Sequence, residues 1–213
     1  MSDAPIVLHH RLAPEDQARA EFYALLSRLY ADVPDAPLLA AIASAPPLGP
    51  ASPADDGGDA GHVAQAWDAL RAASATVDKE TAADEFLALF IGVGRSEVSL
   101  YASHYLGPQS GRPLAELRAT LARLGLARRP DKSEFEDHLA IVLETMRMLV
   151  AGDDERRPAE IADQQAFFDR HVASWAFDCC TAIRRCAIAN YYVRVAEFTS
   201  CFLALERDSF AIE

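Results

Sequence analysis

The stretch EFEDHLAIVLETMRMLV, residues 134–150, decides the fold class. Phe135, Leu139, Val142, Met146 and Leu149 follow one another at spacings of four, three, four and three. That period lays an apolar stripe along one face of an α-helix and excludes a strand, whose faces alternate every second residue. Ser133 and Glu136 fit a capping box at its start. We therefore expect a helix over Glu134–Val150.

Working outward, the same period returns on both sides. Ala18, Phe22, Leu25, Leu26 and Leu29 mark a helix from Pro14 to Tyr30, with Glu15 and Asp16 in its first turn, and Pro34 and Pro37 close it. A short helix over Pro37–Ser44, further helices over His62–Ala75 and Lys79–Phe90, and one over Pro113–Leu124 are expected next. Gly92 and Gly94 stop the run that ends at Phe90. The stretch from Ile91 to Arg112 reads as irregular and aromatic. Helices over Pro158–His171 and Ser174–Glu206, the second broken near Ala187–Asn190, complete the chain. No alternating run and no internal repeat occurs, so the expected class is all-α, a single compact helical domain spanning 1–213. The Pro- and Gly-rich segment 45–61 reads as a flexible loop, and 125–131, bracketed by Gly125 and Pro130, as a hinge.

Composition narrows the function. The chain has 213 residues, 51% of them hydrophobic, and a formal net charge of -12. That is a packed protein whose acidity opposes adhesion to nucleic acid or anionic lipid and favours a cationic partner. The N-terminal residues Met1–Gln17 lack a sustained apolar segment, and no later run is long and apolar enough to span a bilayer. We expect a cytoplasmic protein without membrane insertion. The four cysteines, Cys179, Cys180, Cys186 and Cys201, show no CxxC pair and read as reduced, mostly buried thiols.

Catalytic signatures are absent. There is no HExxH or Gly-x-Ser-x-Gly, neither Lys79 nor Lys132 lies in a phosphate loop, and Gly92-Val-Gly94 lacks the third glycine of a dinucleotide fingerprint. A di-iron bundle needs Glu-x-x-His, but the residues three before His104, His138 and His171 are Tyr101, Phe135 and Phe168. We expect no enzyme, no metal and no cofactor. A helical transcription regulator would need a basic recognition helix, whereas in Pro14–Tyr30 Arg19 and Arg28 are balanced by Glu15, Asp16 and Glu21.

What remains is a binding site. On a helix Glu134, Asp137 and His138, at relative positions of zero, three and four, converge on one surface and form a cluster able to grip a guanidinium. The spacing supports a structural and a functional role for Asp137 and His138 equally. Phe86, Leu89 and Phe90 read first as core, with a groove role left open, and Tyr101, Ser103 and Tyr105 fall where a groove rim could form.

These residues also carry a resemblance. Phe86-Leu-Ala-Leu89-Phe90-Ile-Gly92, then Ser99-Leu-Tyr101-Ala-Ser103-His-Tyr105, then Glu134-Phe-Glu-Asp137-His138 resemble, in order and spacing, the signatures of the TorD/DmsD/NarJ family of redox-enzyme maturation chaperones. His171-Val-Ala-Ser-Trp175 and Asn190-Tyr191-Tyr192 are similar to its C-terminal helices, while Leu100 and Phe135 stand where the family usually has proline. The resemblance implies an all-helical cytoplasmic chaperone. Its partner would be the apo catalytic subunit of a molybdenum-containing oxidoreductase, bound through an N-terminal, often twin-arginine, signal peptide and held until the cofactor is inserted. It implies peptide binding by Glu134, Asp137, His138, Phe86, Leu89, Phe90, Tyr101, Ser103 and Tyr105. An assembly chaperone for a non-exported subunit is the alternative within the same family, and a homodimer made by exchanging halves stays open.

Overall fold

The computed structural model describes residues 12–49, 58–92, 95–107, 112–126, 135–153 and 156–211. Its first helix, α1 (Pro14–Ala31), starts as the sequence dictates, with proline in the first turn and Glu15 and Asp16 complementing the helix dipole. Tyr23, Leu26, Leu29 and Tyr30 form its fully buried face. α2 (Ala36–Ser44) is capped by Asp35, whose side chain accepts from the Leu38 amide at 2.8 Å. α3 (Asp59–Thr76) opens inside the segment expected as loop, because Gly58 takes an extended conformation and serves as the N-cap. Residues 50–57 of that loop, and 127–131 of the expected hinge, lie outside the described residues.

α4 (Lys79–Phe86) widens into a π-turn over Leu87–Ile91, which ends at Gly92 with φ of 63°. A side chain at Gly92 would collide with the Arg95 carbonyl, so the glycine stop is steric as well as conformational. The short α5 (Ala102–Tyr105) and α6 (Arg112–Arg123) follow. Then come α7 (Leu139–Ala151), α8 (Ile161–Phe168), α9 (Ala176–Arg185) and α10 (Tyr191–Phe210), with a second π-turn over Asp169–Ala173 after α8. The break between α9 and α10 falls where the sequence places it. Among the described residues there is no strand, only one isolated antiparallel bridge between Tyr101 and His138, and the protein is all-α.

α1 packs along α7, where Ser27 Oγ donates to the Ala140 carbonyl at 2.8 Å, and α10 packs along α3. Phe22 meets Trp67, Phe198 and Phe202 edge-on with ring centroids 5.1 to 5.5 Å apart, and Trp67 meets Phe198 tilted at 5.1 Å, which fixes α1, α3 and α10 together. A buried ion pair adds specificity: Arg19 Nε donates to Glu206 at 2.8 Å, and the Tyr23 hydroxyl donates to the same carboxylate at 2.9 Å. At the other end of α10, the Glu85 carboxylate of α4 accepts from the amides of Asn190, Tyr191 and Tyr192 at 2.8, 2.9 and 2.9 Å. Those donors have no partner within their own helix, so α10 is capped from another one.

The start of α7 departs from the sequence expectation. The helix read over Glu134–Val150 begins at Leu139, and Phe135–His138 form an extended turn before it. The cap is His138, with Nδ1 accepting from the Ala140 amide at 3.2 Å, while Ser133 of the expected capping box lies outside the described residues. The reason is long-range pairing: the Ala102 amide donates to the Asp137 carbonyl at 2.9 Å, and the Leu139 amide to the Leu100 carbonyl at 2.8 Å. These bonds hold Asp137 and His138 in an antiparallel bridge with the α5 segment. Asp137 and His138 therefore precede the helix and do not share a helical face, while Glu134 lies outside the described residues.

Candidate binding cleft

The bridge between Leu100–Ala102 and Asp137–Leu139 builds one wall of a cleft of about 320 Å³. α5 and the residue after it supply Ala102 and Leu106, α6 supplies Arg112, Pro113, Glu116 and Leu117, and the bridge supplies Asp137. Arg170, His171 and Trp175 close it from the second π-turn and the start of α9. Arg170 and His171 are neighbours in the second π-turn. Both line the cleft where the helix widens to a π-turn, a local expansion often found at functional sites.

The wall is held from behind. Asp137 is 2% exposed, and its Oδ2 accepts from the Ser103 amide at 3.0 Å. His138, 7% exposed, meets Tyr101 edge-on at 4.9 Å. Tyr105 stacks on Trp175 at 5.7 Å and donates its hydroxyl to the Ser99 carbonyl at 2.8 Å. Burial, and then the Cys179 thiol, push that phenol far above its ordinary range, so it stays protonated. The Trp175 indole donates to the His171 carbonyl at 2.7 Å, inside the π-turn.

The electrostatics are balanced. Glu116 accepts from Arg112 Nε at 2.8 Å and from Arg170 Nη2 at 3.0 Å, and these two hydrogen bonds hold its carboxyl below the usual range. His171 lies 3.0 Å from the Thr120 hydroxyl, and burial first, with Arg170 second, lowers its pKa to about 4. At neutral pH it is uncharged. The Asp137 carboxylate is paired with a backbone amide and forms no hydrogen bond to a cationic side chain among the described residues. The cleft thus holds two carboxylates, Glu116 bonded by two arginines and Asp137 buried on a backbone amide, with the Arg118 charge acting on it.

Residues 56–181 match the family model described as the nitrate reductase delta subunit. The chain belongs to this family. It is 32% identical over 105 residues to the chaperone protein TorD of Photobacterium profundum, covering 45% of this chain and 48% of that protein. It is 33% identical over 99 residues to the chaperone protein TorD of Salmonella bongori, covering 46% and 44%. The chain spans about half the length of the curated relatives it matches. Every residue lining the cleft, from Ala102 to Trp175, falls within the span shared with the nitrate reductase delta subunit family.

Of the site residues read from this family member's sequence, Asp137 lines the cleft, and Tyr101, Ser103, Tyr105 and His138 support its wall. Phe86, Leu89 and Phe90 do not join them. They are buried in the core, where Phe86 and Phe90 pack on each other at 5.2 Å and on Tyr192. The sequence reading missed Leu106, Arg112, Glu116, Arg170, His171 and Trp175. The signal for the last two was the His171-Val-Ala-Ser-Trp175 motif, read as part of a helix and not as part of a site. Among the described residues no group of three or more His, Cys, Asp or Glu side chains could hold a metal, and no helix is long and apolar enough to cross a membrane.

Proposed function

We propose that this chain is a cytoplasmic, non-enzymatic chaperone that binds the N-terminal segment of a molybdenum-containing oxidoreductase. It holds that client until the cofactor is inserted and export can follow. Membership of a family that includes proteins named TorD chaperones supports the client class, and the cleft supports the mode of capture.

The observation that carries the reading is the Asp137 carboxylate in the wall of a cleft that the exposed Leu106 also lines. Leu106 and Phe135, 41% and 53% exposed, project from the two segments that the Tyr101–His138 bridge ties together. An exposed large apolar side chain at a small cleft that holds carboxylates suits an extended peptide with a cationic residue followed by an apolar run. A cleft of about 320 Å³ admits one or two side chains, not a folded ligand. The arginine would set register through charge-assisted hydrogen bonds at about 1.5–3 kcal/mol each. Burial of the apolar run at about 25 cal/mol per Å² would supply most of the affinity. Phe86, Leu89 and Phe90 then act as the frame on which the site is built.

Calorimetry with the N-terminal peptide of the client, and co-purification with the full apo-subunit, test the reading. Saturable binding of both is expected. Absence of binding by either overturns it. A second reading, assembly of a non-exported subunit without twin arginines, is favoured by Arg112 and Arg170, which already occupy Glu116. A peptide whose arginines are replaced by glutamine separates the two, because it loses affinity only under the first.

A further inference from the structure

We infer that Arg170 is an internal stand-in for a client arginine, which the client displaces from Glu116 on binding; this rests on the function proposed above. Glu116 receives one N–H on each oxygen, from Arg112 at 2.8 Å and from Arg170 at 3.0 Å. Neither arginine uses the paired, fork-like contact that makes guanidinium–carboxylate recognition strong. Both side chains are largely in solvent, with Arg112 79% and Arg170 59% exposed, so each pair is screened and opens at little cost.

The two arginines differ in what they join. Arg112 lies one turn before Glu116 on α6 and stays near it whether or not the cleft is filled. Arg170 arrives from the π-turn 54 residues away, so its bond spans the cleft between two separate walls. A guanidinium entering the cleft meets Glu116 as an acceptor already held by side chains and Asp137 as one buried on the Ser103 amide. Swinging Arg170 into solvent releases Oε2 of Glu116, and the newcomer then has two carboxylates in the same cleft. The resident arginine selects against weak cations, since only a group that bonds Glu116 better than Arg170 does gains by the exchange.

The π-turn does not depend on this bond for its position. The Trp175 indole holds the His171 carbonyl at 2.7 Å, His171 meets Thr120 at 3.0 Å, and Ser174 Oγ donates to the Arg170 carbonyl at 2.9 Å. Arg170→Gln is therefore expected to fold as the parent does.

The test is calorimetry of the parent, Arg170→Gln, Glu116→Gln and the double variant, each against two synthetic peptides: the client's N-terminal segment and the same segment with arginines replaced by glutamine. Arg170→Gln is expected to tighten the arginine peptide by up to about fivefold, the range of an exposed pair, and to leave the glutamine peptide unchanged. Glu116→Gln weakens the arginine peptide by at least about tenfold, as loss of a charge-assisted bond requires, and abolishes the gain in the double variant. Equal affinities of the arginine peptide for parent and Arg170→Gln, a looser complex with Arg170→Gln, or the same gain for both peptides overturns the exchange. If both peptides bind the parent equally well, the exchange fails while the chaperone function stands. If neither binds any form, the function itself fails and takes the exchange with it.

Discussion

Replacing Asp137 by asparagine and by alanine separates two tasks that one carboxylate performs. The side chain is buried, its Oδ2 accepts from the Ser103 amide at 3.0 Å, and it lines the cleft. Alanine removes the acceptor and strands a part-buried N–H, a loss of about 1–3 kcal/mol. For a chain of 213 residues each kcal/mol lowers Tm by about 2–4 °C, so a mid-range loss of about 2 kcal/mol lowers it by about 4–8 °C. Asparagine keeps an oxygen at that place and should cost less than about 1 kcal/mol, because the acceptor survives and only the charge is lost. Client binding follows the charge and not the stability. Both variants lose a charge-assisted bond of about 1.5–3 kcal/mol, which weakens the arginine peptide by about 10- to 100-fold. Thermal unfolding followed by circular dichroism gives the first quantity and calorimetry the second. Asparagine with parental stability and parental affinity would refute a binding role for the carboxylate.

Other consequences follow from the same contacts. His138→Ala removes a helix cap and an edge-on ring contact and should cost about 2 kcal/mol in denaturant unfolding, while His138→Asn, which can still cap, recovers about half; equal losses would contradict the cap. Glu85→Gln leaves one acceptor where three amides now converge, so the amides of Tyr191 and Tyr192 should exchange hydrogen markedly faster; unchanged exchange would show that α10 does not need this cap. His171 has its pKa lowered from 6.5 to about 4, mainly by burial, so the stability it contributes is present above pH 6.5 and is lost as pH falls toward 4. Because solvent reaches the cleft, the loss relative to a His171→Gln variant should be about 2 kcal/mol over that window, and parallel stability curves would contradict it.

Much of the helical framework is legible in local signals. Pro14, Glu15 and Asp16 announce α1, Gly92 ends the α4 segment, and the loss of pattern near Ala187–Asn190 separates α9 from α10. The start of α7 is not legible. Glu136 and Asp137 suit the first turn of a helix as well as the turn they form, and the choice is made by Leu100 and Ala102, which approach from another part of the chain. Non-local bonds of this kind leave no trace in periodicity. The same limit hides Glu85 as the cap of α10, more than 100 residues away.

The site divides in the same way. Asp137 stands out in the sequence as a carboxylate next to a histidine, and it does line the cleft. Phe86 and Phe90 share a helical spacing with a core stripe, and the core is where they lie. Arg170 and His171 read as part of an ordinary helix, and nothing in the sequence shows that the chain segments opposite them form a cleft. Glu116 looks like one acidic residue among many on an acidic chain, and only the arrival of Arg170 distinguishes it.

Backbone hydrogen exchange with and without a saturating arginine-bearing client peptide tests the location of the site most directly. Slower exchange concentrated in 101–106, 112–117 and 169–175 is the predicted result. Protection confined to the face formed by α2 and the α3–α4 turn, with those three segments unchanged, would contradict it.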